Sequence, residues 1–162
     1  MESAIQTSIH GGIAPRISIA SVRQWREAIR QGNRAFQIAD YIRAVGHYRV
    51  ACSIAEEHFG SEIEADQGVA LLVIASLNLA DTFEKLDCVA EQGAQLCAIH
   101  ENLCLAMNES ALDETWRMAV WRHSRRTYAE LSRFVKRHPA DERARTVLGL
   151  GAAGPETELC RQ

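Results

Sequence analysis

Residues 32–51, GNRAFQIADYIRAVGHYRVA, decide how this chain folds. Phe36 follows Gly32 by four positions, and Tyr41, Ala44, Tyr48 and Ala51 then succeed one another at steps of three and four. Those steps are the helical period, so each of these residues returns to one helix face. Two antiparallel helices that pack tightly need small residues where the backbones approach and rings where the gap must be filled. ADY, residues 39–41, supplies the turn between them. The stretch therefore predicts the end of one helix, a turn, and a second helix folded back on the first.

The pattern extends outward in both directions. Upstream, Val22, Trp25, Ile29 and Phe36 share a face, and Ser21 reads as the N-cap. The second helix runs from Asp40 to about Glu57, with Tyr41, Ala44, Val45, Tyr48, Ala51 and Cys52 on one side. HFGSE, residues 58–62, breaks it at a glycine. Further helices are predicted over 66–86 and 88–107, and then, past a loop with Ser110 and Asp113 as cap candidates, from Thr115 to Pro139. DERARTVLGL can form one more short helix before GAAGPE ends the pattern. Nothing reads as a hairpin of strands or a βαβ unit, so the fold class is all-α. Residues 1–17 read as a flexible leader, 18–139 as the helical domain, and 140–162 as a tail that is partly helical at most.

A chain of 162 residues can bury one adequate core. Its longest apolar run, GVALLVIASLNLA at 68–80, is too short to span a bilayer. The N-terminus has no basic region leading into an apolar stretch, so no membrane contact is expected and a cytoplasmic location is the default. Five scattered cysteines suggest reduced thiols and no disulfide framework.

Charge is unevenly spread. Residues 1–52 hold seven arginines against Glu2, Glu27 and Asp40; twelve acids and one base, Lys85, lie between Cys52 and Glu114. Seven bases against two acids follow over 114–137. An acidic middle between basic flanks reads as helices attracting one another, or as a charged groove. RHSRRTY at 122–128 mixes bases with a ring, but the acidic middle repels phosphates and the pI is about 6.1, so no nucleic-acid partner is expected.

The order Gly32, Asn33, Phe36, Asp40, Tyr41, Ala44, Tyr48, Ala51 resembles the tetratricopeptide repeat, whose small-residue, turn, A-x3-aromatic pattern denotes a helix–turn–helix unit. SLNLADTFEKLD at 76–87 looks like the first helix and turn of a second unit, with Ala80 at the small position; Ala90, Gly93 and Ala94 compete for it in the partner helix. Gly32 and Ala80 are 48 positions apart, against about 34 for the family. A third unit, around Ser124 with Val120 and Tyr128, lacks a full second helix, leaving the last long helix unpaired as a cap. The resemblance implies antiparallel helix pairs stacked as a short right-handed solenoid of about two and a half repeats.

Repeats of this kind bind a peptide or helix in a concave groove. By register, the first unit would contribute Arg26, Ile29, Arg30, Asn33 and Gln37, the second Asn78, Asp81 and Glu84, and the last helix Trp121, Arg122 and Arg125. In chaperone-docking members, asparagines, lysines and an arginine clamp a terminal carboxylate. Asn33, Asn78 and Arg122 fall at matching positions, but Ile29 and Met118 replace the lysines, which leaves at most a partial clamp. Trp121 stands one step off the apolar stripe among Arg117, Arg122 and Arg125, either as an interface anchor or packed with its N–H satisfied.

The resulting expectation is a non-enzymatic adaptor, of bacterial type, that binds another protein or peptide without a cofactor. A chaperone for a secreted protein is an alternative within the same class. A helical metal or redox protein is the alternative from another class, since Cys97, His100 and Cys104 share a helix face that could ligate zinc; core packing of the same residues competes with it. No catalytic motif is present. An unpaired last helix would leave an apolar edge on which a homodimer could form.

Overall fold

A computed structural model describes residues 17–61 and 63–150; the predicted leader up to residue 16 and the tail from 151 lie outside the described residues. The described chain is helical throughout: α1 (Ile17–Gln37), α2 (Tyr41–Glu57), α3 (Ala65–Lys85), α4 (Val89–Met107), α5 (Glu114–Arg137) and α6 (Glu142–Leu150). The all-α expectation holds, with one early boundary corrected. Ser21 does not cap α1; it is buried inside a helix that begins at Ile17.

Carboxylates start most of the helices. Asp40 accepts from the Arg43 N–H at 3.3 Å, Asp113 from Trp116 at 3.0 Å and Asp141 from Ala144 at 2.8 Å, while Glu64 accepts from both Asp66 and Gln67. Each satisfies N–H groups that a helix cannot satisfy itself, and a cap of this kind stabilises by ~1 kcal/mol. Ser110 stays in the loop.

Neighbouring helices run antiparallel. Gly32 of α1 lies under Tyr48 of α2, Cys52 of α2 meets Ser76 of α3 at 3.9 Å, Glu84 of α3 meets Gln92 of α4, and His100 of α4 meets Thr127 of α5. Alternate helices therefore run the same way. Gly68 and Glu84 of α3 meet Trp116 and Arg137 of α5, so these two ascend together.

The α1–α2 hairpin recurs in α3–α4 after 48 residues. α1 and α3 start and end at that offset, and α2 and α4 start at it. All six buried residues of α2 (Ala44, Val45, Tyr48, Ala51, Cys52 and Ala55) have buried counterparts in α4: Gln92, Gly93, Leu96, Ile99, His100 and Leu103. The turn repeats too. Ala39 and Asp87 adopt positive φ of 61° and 58°, and the next N–H, of Asp40 or Cys88, returns to Ala35 or Phe83 at 2.9 Å in both cases. This left-handed residue closes the helix C-terminus by satisfying carbonyls otherwise left open.

Glycines under rings hold the helices together. A Cβ on Gly32 would stand 2.5 Å from the Tyr48 ring, one on Gly68 2.4 Å from Trp116, and one on Gly93 2.7 Å from Phe134. The pairs join α1 to α2, α3 to α5 and α4 to α5, so α5 is clamped by its own two rings. Phe134 is fully buried and Trp116 nearly so, each contributing roughly 3 kcal/mol by leaving water. α5 is followed by the short α6, which packs on α4 and α5 with Ala144 and Val147 buried and leaves Met118, Trp121 and Tyr128 of α5 exposed. Among the described residues, no helix is long and apolar enough to cross a membrane.

Candidate functional site

A concavity of about 450 Å³ opens where α3, α4 and α5 meet. α3 contributes Asp81 and Glu84, α4 Gln92 and Leu96, and α5 Glu130, Arg133, Lys136 and Arg137. The parallel course of α3 and α5 puts the acidic end of one beside the basic end of the other. Arg137 bonds Glu84, whose second oxygen accepts from Gln92 at 3.2 Å, and Arg133 bonds Glu130 one turn back. The bond from Arg137 holds Glu84 below the usual carboxylate range.

Asp81 differs from its neighbours. It makes no ion pair among the described residues, and partial burial, with Glu130 and Glu84 nearby, pushes its carboxyl up; Arg133 and Arg126 oppose the shift without bonding it. Its charge also helps raise Tyr48, after burial, which places Asp81 between α2 and α5. Lys136 likewise has no ion pair among the described residues. The cleft thus offers one acceptor and one donor of full charge to a visitor, beside two internally matched pairs.

Other expected groove residues are dispersed. On α1, Arg26, Arg30, Asn33 and Gln37 are all exposed. Asn33 accepts the Tyr48 hydroxyl at 2.7 Å, and Arg30 bonds Glu27. Asn78 is half-buried and its carbonyl holds the Thr82 hydroxyl at 2.7 Å. Arg122 bonds Asp66 at 2.5 Å, and His123 meets the same oxygen at 3.1 Å. Asp66 opens α3 and Asn78 lies twelve residues along it, about 18 Å away on the helical rise. Arg122 and Asn78 therefore do not converge as one clamp. Trp121 is 41% exposed, with Met118 beside it also exposed, and Arg125 is exposed. Sequence register found Asp81 and Glu84 but missed Glu130, Arg133, Lys136 and Arg137.

Cys97, His100 and Cys104 are buried in the core. The Thr127 hydroxyl donates to the Ser124 carbonyl at 3.0 Å, so in its 2.8 Å contact with His100 it accepts from Nδ1–H. Nε2 is then the bare nitrogen, and accepts from the Cys104 thiol at 3.6 Å. Burial pushes His100 down and both thiols up, which keeps the imidazole neutral and the sulfurs protonated, as this relay requires. Both ring nitrogens are thus committed to protein partners. No group of three His, Cys, Asp or Glu among the described residues could hold a metal ion.

A family model described as "Protein of unknown function (DUF2753)" matches residues 23–160. No curated protein and no solved structure matches the chain.

Proposed function

We propose a function on the premise that the chain belongs to the DUF2753 family, whose description assigns none: it is a non-enzymatic protein-binding module of tetratricopeptide-like type. Antiparallel neighbours, the 48-residue recurrence of the hairpin and the short α6 at the end support the repeat reading, with units longer than the family's usual period of about 34. The cleft between α3, α4 and α5 is where it binds a segment of another protein.

One observation carries this reading. Asp81 holds an exposed carboxylate at the cleft with no cation bonded to it among the described residues, although three basic side chains of α5 line the same space. Asp81 stands beside the like charges of Glu130 and Glu84, and a lysine or arginine of a bound peptide would match it. Exposed Trp121 and Met118, further back along α5, add apolar contact area to the same helix. The test is capture of partners from native lysate on the wild-type chain and on Asp81→Lys, with both samples compared by mass spectrometry. Loss of a specific captured protein on Asp81→Lys, at unchanged helicity, is the expected result. The same proteins captured by both chains would remove the cleft from consideration.

A further inference from the structure

The face of α1 that looks away from the rest of the molecule carries a second surface. Ser21, Trp25, Ala28, Gly32 and Ala35 are the buried side of α1. At about 100° per residue, Arg23, Arg26, Arg30 and Arg34 cluster opposite that side. All four are exposed, one per turn, over about 16 Å of helix. Only Arg30 is paired, with Glu27; Arg23, Arg26 and Arg34 make no ion pair among the described residues. Ile19 and Ile38, 74% and 73% exposed, stand at the two ends of the row.

We propose that this face docks an acidic helix of another protein, with carboxylates on successive turns opposite the arginines and apolar side chains over Ile19 and Ile38. Like spacing on two helices lets each guanidinium meet a carboxylate, a match of charge and geometry together. A second copy of this chain lacks the complement, since no described helix carries acids at three successive turns. A nucleic acid fits less well. The row is short, Glu27 stands beside it, the acidic middle of the chain would meet a longer polyanion, and the terminal isoleucines offer a phosphate backbone nothing.

The probe is an alanine-based helical peptide of about 20 residues with glutamates on four successive turns and leucines at both ends. Fluorescence anisotropy on the full chain compares it with its glutamine analogue and with a duplex DNA of similar length. The glutamate peptide should bind saturably and weaken with salt, the glutamine analogue should not, and the duplex should bind at least about tenfold more weakly. Arg23→Glu/Arg34→Glu should weaken the peptide by about tenfold or more, the milder Arg23→Gln/Arg34→Gln should do so by less, and Asp81→Lys should leave it unchanged. Circular dichroism verifies the fold of each variant. Duplex binding equal to the peptide's, no saturable peptide binding, indifference to the arginine substitutions, or clearly tighter binding on Asp81→Lys would each overturn the proposal. That last result, a glutamate peptide gaining from a cation added to the cleft, would move the peptide to the cleft, so the two surfaces fail separately.

Discussion

Replacing Gly32 by alanine tests the packing device on which the hairpin depends. The added Cβ would stand 2.5, 2.8 and 3.0 Å from Cε1, Cδ1 and Cζ of Tyr48, well inside van der Waals contact. The ring cannot easily retreat: it is 3% exposed, and its hydroxyl is tied to Asn33 at 2.7 Å. Overpacking of this kind costs about 1–3 kcal/mol, whereas alanine for glycine within a helix returns about 1 kcal/mol. The net effect is a loss of about 1 kcal/mol. Gly46, in the middle of α2, supplies the control because nothing lies within 4 Å of its added Cβ. Gly46→Ala keeps the propensity gain and has no steric cost, so it should stabilise by up to ~1 kcal/mol. The propensity gain is common to both variants and cancels in their difference, which leaves the steric contact alone at about 1–3 kcal/mol. For a chain of this length that is a gap of roughly 2–4 °C in Tm per kcal/mol. Urea unfolding followed by circular dichroism reads it as a shift in midpoint. Should Gly32→Ala prove as stable as Gly46→Ala, the ring does not rest on the glycine and the account of the hairpin fails.

Other expectations follow from the core and the surface. Cys52 is buried and its thiol is pushed up to about 11, and burial raises Cys97 and Cys104 as well, so iodoacetamide at mildly alkaline pH should modify half-exposed Cys88 before these three, as peptide mass spectrometry would reveal. His100 is lowered by burial from its ordinary 6.5, so the unfolded chain takes up its proton before the folded one does. Stability from this residue is therefore complete above that value and declines as pH falls below it, by at most about 1.4 kcal/mol per pH unit; His100→Gln should unfold with a flatter pH dependence than wild type. Thr127→Val strands the His100 Nδ1–H in the core and should cost about 1–3 kcal/mol in urea unfolding. Arg122→Ala breaks an exposed pair with Asp66 and should cost no more than about 1 kcal/mol in the same assay, with the loss shrinking in high salt.

The helices were legible because their signals are local. Asp40 and Asp113 announce caps, Gly60 breaks the chain at a positive φ of 76°, and the steps of three and four around Tyr48 place one face of α2. The second unit was harder. At the small position of α4 the sequence offers Ala90, Gly93 and Ala94, and propensity cannot choose among them. Packing does, because Phe134 arrives from α5 and only a residue without a Cβ leaves it room, which selects Gly93. Ala90 and Ala94 are exposed. The start of α1 was missed for a related reason: Ser21 has cap chemistry, but its place on the buried side with Trp25 and Ala28 makes it interior.

The site was less legible than the fold because its chemistry comes from partners far apart in sequence. Glu84 and Arg137 are 53 positions apart and Asp66 and Arg122 are 56 apart, and nothing in the neighbourhood of either arginine signals the match. Register alone assigned Arg122 to a ligand and left Arg137 without a partner; parallel packing of α3 and α5 gives each a carboxylate instead. The same packing separates structure from recognition. Tyr48, Trp116 and Phe134 are consumed by glycines in the interior, and His100 by Thr127 and Cys104. What remains exposed is charge with a few apolar side chains: Asp81 and Lys136 in the cleft, the arginines of α1, and Trp121 on α5. Contacts built from such groups are screened by salt and worth little singly, so in the binding role proposed above selectivity would come from matching several charges at once. A rigid helical frame suits that task, because it holds the charges at fixed spacing before any partner arrives.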